Sequence, residues 1–145
     1  MISQKDKLIF SHLRKNARIN LTDISKKTGI PTSTIYDRVR HNEKIIVKKH
    51  VTLLDFAKLG FNAKANIAVK VAKHDQKKLL EYLKLHSNVN SLYRINYGYD
   101  FMFEVLYPDI VKVEDFVTEL ENSFTIEKRH IFNIIEDIKR EEFMP

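Results

Sequence analysis

The chain has 145 residues, 43% hydrophobic and 30% charged, with a net charge of +6 and no cysteine. That length holds one domain or two small ones, and the missing thiols exclude disulfides and thiolate metal sites. The charge is lopsided: residues 1–50 carry 12 Lys+Arg against 4 Asp+Glu, giving +8, whereas residues 51–145 carry 13 against 15, giving −2. A basic N-terminal third of this kind points to a polyanionic partner, nucleic acid first. No apolar run reaches the length of a membrane span. The opening "MISQKDKLIFSHLRKNAR" mixes charge into its apolar residues and has no signal-peptide core, so a soluble cytoplasmic protein without a membrane partner is expected.

In chain order, "QKDKLIFSHLRK" (4–15) places Leu8, Ile9, His12 and Leu13 on one helical face. "INLTDISKKTGI" follows as a second helix, with Asn20 as cap, Asp23 three residues on, and Leu21 and Ile24 facing inward. Gly29 stands where a left-handed residue ends a helix. Pro31 and Thr32 open a third helix, with Thr32 as the expected cap and Ile35 and Val39 as its apolar pair. Three short helices with a glycine turn between the second and third give the helix-turn-helix order.

Residues 45–54, "IIVKKHVTLL", are β-branched and read as a strand, followed by the connector "DFAKLGF". "AKANIAVKV" alternates as a half-buried strand, and "DQKKLLEYLKLH" is a helix carrying Leu79, Leu80 and Leu83. "VNSLYRIN", the turn "YGYD" and "FMFEVLY" form a hairpin ended by Pro108. "IVKVEDFVTELEN" spaces Ile110, Val113, Phe116, Val117 and Leu120 for a helix, and "IEKRHIFNIIEDI" is the last strand. The β-α-β-β-α-β order is the ferredoxin-like unit. The expectation is therefore an α+β chain: a helix-turn-helix domain over residues 1–50, a linker over 51–62, and a ferredoxin-like domain over 63–145. Helices cover one face of such a sheet, and a second copy is expected to cover the other.

The outward side of the third helix carries Ser33, Asp37, Arg40 and His41, flanked by Thr34, Tyr36 and Arg38. Arg40 suits a base edge, since arginine pairs bidentately with guanine. Asp37 can accept from a cytosine amino group or orient Arg40 or His41. Arg38 and His41 serve groove and phosphate contact, and Thr32, Ser33 and Thr34 at the helix start suit phosphate oxygens. Lys48 and Lys49 add phosphate attraction. The competing reading is a solvated helix with i,i+4 charge pairs.

The stretches "DKLIFSHLRKNARINLTDISKKTGI", "STIYDRVR", "LLDFAKLGF", "VNSLYRI" and "YDFMFEV" together resemble the Lrp/AsnC (feast/famine) family of prokaryotic transcription regulators. The resemblance spans nearly the whole chain. It implies a winged-helix-like helix-turn-helix domain, a strand linker and a C-terminal sandwich that dimerises through its sheet. It further implies dimers that assemble into tetramers or octamers, double-stranded DNA as partner, and an amino-acid effector bound between C-terminal domains. The family's effector hairpin reads Thr-Gly-x-Tyr-Asp, and here Asn96-Tyr97-Gly98-Tyr99-Asp100 stands in its place. Tyr97, Gly98, Tyr99 and Asp100 are thus the effector candidates, with Asp100 as the ammonium acceptor. The alternative for them is turn chemistry and packing between subunits.

The six histidines have no i,i+4 pair of the zinc type, and there is no Gly-rich phosphate loop or G-x-S-x-G. No metal, cofactor or catalytic activity is expected. Two alternatives share the fold: a siroheme decarboxylase-like enzyme, and a metabolite-sensing or oligomerisation protein without specific DNA binding. The regulator-like "YDF" and the +8 charge of the N-terminal third weigh against both.

Overall fold

The structure, a computed structural model, describes all residues Met1–Pro145. It divides into two compact units, Met1–Leu53 with Ile138–Pro145, and Leu54–Asp137. The chain thus leaves the first unit at residue 53 and re-enters it at 138. Sequence alone had assigned those last residues to the sheet domain.

The first unit holds three helices, α1 (Gln4–Lys15), α2 (Leu21–Thr28) and α3 (Thr32–Ile46). Their core is a cluster of four buried isoleucines, Ile9, Ile24, Ile30 and Ile35, with Leu13, Ile19, Leu21 and Val39 packed around it. Two residues on α1 depart from the expected face: Phe10 is buried and Leu8 is exposed. Asn20 caps α2 by accepting from the Asp23 amide at 2.8 Å. Gly29 ends that helix at φ +72°, in the left-handed region where an L side chain is strained.

The expected strand over 45–54 is not formed. Ile45 and Ile46 continue α3, and residues 47–54 have no ladder partner. β-branched composition favours a strand only where another strand supplies its hydrogen bonds.

The second unit opens with a 3-10 turn (Ala57–Leu59) and then runs β1 (Ala63–Val71), α4 (Gln76–Leu85), β2 (Val89–Arg94), β3 (Phe101–Tyr107), α5 (Ile110–Ser123) and β4 (Ile126–Asn133), with a second 3-10 turn at Lys73–Asp75. The antiparallel sheet has order β2-β3-β1-β4, the ferredoxin-like arrangement expected. Asp109 caps α5 by accepting from the Lys112 amide at 2.9 Å.

Alternation on the strands divides the two faces. Ala65, Ile67 and Val69 of β1 and Phe101, Phe103 and Val105 of β3 pack under Leu79 and Leu83 of α4 and Val113, Phe116, Val117 and Leu120 of α5. Ile110, expected on that face, is exposed at the head of α5. On the opposite face the register aligns Tyr93, Met102, Ala68 and His130 in one row, and Ser91, Glu104, Asn66 and Phe132 in the next. The His130 and Phe132 rings lie 4.2 Å apart there, and Phe132 is 47% exposed.

Phe103 is fully buried and meets Phe116 edge-on at 6.2 Å. Phe103→Ala is expected to destabilise the sheet unit by about 3–5 kcal/mol, by lost burial plus the cavity left. Urea unfolding followed on sheet amides measures this, and the α1–α3 core should keep its own stability.

Candidate nucleic-acid interface

Helix α3 presents two chemically different sides. Ile35 is fully buried, Asn42 is buried, and Val39 packs on the isoleucine cluster. Ser33, Tyr36, Asp37, Arg40, His41 and Lys44 all lie exposed. Thr34 is half-buried and lines a hollow of about 600 Å³ with Asp37, Arg38, His41, Met1 and Ile2.

The inward side is held by a buried carboxylate. Asp6 of α1 is 2% exposed. Its Oδ1 accepts from Arg38 Nη1 at 2.9 Å and from Asn42 Nδ2 at 3.0 Å. Its Oδ2 accepts from the Ser3 amide at 2.8 Å and the Ser3 hydroxyl at 2.6 Å. The Ser3 hydroxyl in turn accepts from the Asp6 amide and from Arg38 Nη1 at 2.9 Å. This is a capping box at the start of α1, extended to grip α3.

Sequence analysis placed Arg38 at the edge of the outward side. The structure turns it inward, half-buried, onto Asp6, so it sets the position of α3. Ser3, Asp6 and Asn42 were missed, although Ser3-x-x-Asp6 before an apolar run is a legible N-terminal signature.

The start of α3 differs from the starts of α1 and α2. Its N-cap is Pro31, and no side chain accepts from the first turn. Thr32 is the first helical residue and not the cap. A proline at the cap has no side-chain acceptor, so the first-turn N–H groups stay available to water or an anion. Lys48 and Lys49 follow α3 as exposed residues.

The β2–β3 hairpin closes on a turn in which Tyr97 and Gly98 both have positive φ, +62° and +80°. Tyr97 is 94% exposed. A tyrosine in this region is uncommon, since Asn and Gly fill such turns without strain. The Lys128 ammonium lies 4.5 Å from the centroid of the Tyr99 ring.

Asp100 is committed to the fold. Its Oδ2 accepts from the Val71 amide at 2.8 Å, and its Oδ1 from Gln76 Nε2 at 3.4 Å. Its own amide donates to the Val69 carbonyl at 2.8 Å. The carboxylate expected to receive an effector's ammonium thus ties the hairpin base to the end of β1.

The hydroxyl and amide of Ser3, then the Arg38 guanidinium, hold the Asp6 carboxyl down to about 2 against the opposing effect of burial. A folded-state value below the unfolded one stabilises above about pH 4 and is lost as pH falls toward 2. The loss amounts to about 2 kcal/mol. Urea unfolding followed on α1–α3 amides should therefore lose that much between pH 5 and 2. Asp6→Asn should start less stable and show a flatter profile over that range.

Residues 2–41 match the family model described as winged helix-turn-helix DNA-binding. The chain is 24% identical over 141 residues to the HTH-type transcriptional regulator FL11 of Pyrococcus furiosus, covering 97% of this chain and 93% of that protein. It is also 24% identical to the HTH-type transcriptional regulator LrpC of Bacillus subtilis, over 81% of this chain and 83% of the relative. Among solved structures, E. coli AsnC superposes with a TM-score of 0.87 at 18% identity, covering 100% of this chain and 99% of that one. A Neisseria meningitidis transcriptional regulator in complex with L-methionine gives 0.88 at 19% identity, covering 97% and 94%. The helix-turn-helix match, the whole-length similarity to named regulators and the AsnC fold agree: the chain carries a winged helix-turn-helix of the DNA-binding type and is similar along its length to transcription regulators of the Lrp/AsnC kind.

Proposed function

We propose that this protein binds double-stranded DNA as a homodimer, with α3 of each copy entering the major groove. The observation that carries this reading is the division of α3: its inner side is anchored to Asp6, while its start is uncapped and its outer side is exposed and polar. Recognition helices contact base edges through their N-terminal residues. Thr32, Ser33 and Thr34 stand in the first turn, where free N–H groups suit phosphate. Arg40 reads a guanine edge, with Tyr36, Asp37 and His41 beside it. Lys48 and Lys49 supply sequence-independent phosphate attraction. Arg38 acts through its bonds to Ser3 and Asp6, keeping α3 in place.

The open sheet face, with Tyr93, Met102, His130 and Phe132, is the dimer surface in this reading. It supports a second copy because Phe132, an apolar residue, is left 47% exposed there. Residues 47–54 would find in that copy the ladder partner they lack. Dimers then assemble into tetramers or octamers, which sets the spacing between recognition helices.

A small molecule, by analogy with the methionine-bound relative, modulates that assembly through the second unit. Tyr97, Gly98 and Tyr99 offer the ring and backbone surface of the hairpin. Asp100 contributes by holding the hairpin's shape, since its oxygens already accept from Val71 and Gln76.

The test is a titration of the purified chain with its own upstream DNA and with random DNA at two salt concentrations. Selective binding supports the reading, and no binding to either at low salt overturns it. Arg40→Ala should cost about 1–3 kcal/mol on the cognate site and relax its sequence preference. Lys48→Ala should weaken all duplexes alike, with a salt slope shallower by about one.

A further inference from the structure

The last turn of α1 and the bend after it carry Arg14, Lys15 and Arg18, three exposed cations within five residues. Arg14 is engaged by the segment Ile138–Pro145, which belongs to the same compact unit. Its Nε donates to the Phe143 carbonyl and its Nη2 to the Glu141 carboxylate at 3.1 Å.

This attachment is polar and superficial. Ile138 and Phe143 are 90% and 75% exposed, so the segment buries little of its apolar surface. Arg14 and Glu141 are 38% and 55% exposed at their side chains, which leaves their ion pair open to water and salt. Glu141 also sits at φ +53°, an unfavourable region for its type. A contact of this kind opens readily.

We infer that Arg14 is a DNA phosphate contact masked in the free protein by segment 138–145, with Glu141 occupying the place of the phosphate. The inference rests on the DNA-binding reading above. A guanidinium fork takes a carboxylate or a phosphate in the same planar, charge-assisted geometry. Residues 1–50, with their +8 charge, form the polyanion-seeking part of the chain. Glu141 therefore opposes binding by occupying Arg14. Competition for one group is reciprocal: the segment weakens DNA binding, and DNA releases the segment.

The experiment compares the full chain, Glu141→Gln, Arg14→Ala and the double variant, each titrated with a labelled duplex from its own upstream region at two salt concentrations. Glu141→Gln should tighten binding about two- to five-fold and steepen the salt slope by up to about one contact. The double variant should bind like Arg14→Ala, without that gain. Unchanged or weaker binding by Glu141→Gln, or a gain that survives in the double variant, overturns the inference while leaving DNA binding intact. Failure of every variant to bind at low salt overturns the DNA-binding reading, and this inference with it. A DNA-free measurement keeps the latch separately testable: the Arg14 Nε–H resonance should shift in Glu141→Gln, and an unmoved resonance means that no latch exists.

Discussion

The helical unit depends on one buried carboxylate. Asp6 takes four hydrogen bonds from three residues, two of them on α3, and leaves no oxygen unsatisfied. A charge this deeply buried is costly unless it is paired and fully hydrogen-bonded, and here both conditions are met by groups that must come from α1 and α3 together. The isoleucine cluster provides the cohesion but little direction, since apolar contacts are non-directional. The bonds from Arg38 and Asn42 fix how far α3 is turned about its own axis. That rotation decides which side chains look outward, so the polar surface offered to a ligand is set from beneath, by groups that never touch it.

The sheet unit uses a carboxylate in the same way. Asp100 joins the hairpin base to the amide of Val71 and the side chain of Gln76. The hairpin can then carry Tyr97 at positive φ, because the closure at its base is over-determined by these bonds and by the Ile95–Asp100 and Asp100–Val69 backbone pairs. In both units a carboxylate is spent on geometry, and the chemistry available to a partner lies on its neighbours.

The contrast among the three helix starts has a functional consequence. Ser3 and Asn20 satisfy first-turn amides of α1 and α2. Pro31 offers α3 nothing comparable. Such a helix end keeps its partial positive charge and its donors for something outside the chain. With Arg40, His41 and Lys44 further along the exposed side, α3 forms an electropositive ridge.

Much of this was legible beforehand because the signals are local. Periodicities of 3.6 and 2 located every helix and every paired strand, Gly29 marked its turn, and the order of elements named the sheet topology. At about 100° per residue, Arg38 lies some 60° from Ile35 and Asn42 about 20° from it, on the core side. Arg38 was read outward because charge suggests solvent, a preference that a buried partner overrides. The strand expected over 45–54 failed for a related reason, since strand propensity states what a segment accepts and not whether a ladder exists for it.

By itself, then, the sequence located the helices, the paired strands and their order, and the concentration of positive charge in the first third. All of these follow from spacing and composition, which act over a few residues at a time. Only the tertiary structure decided which charges are spent internally: Asp6 on Arg38 and Asn42, Asp100 on Val71 and Gln76, Arg14 on a segment more than a hundred residues away. A charged side chain is the same in sequence whether it faces water or a partner. Its role is fixed by what folding brings within about 3 Å of it, and that is a property of the whole chain.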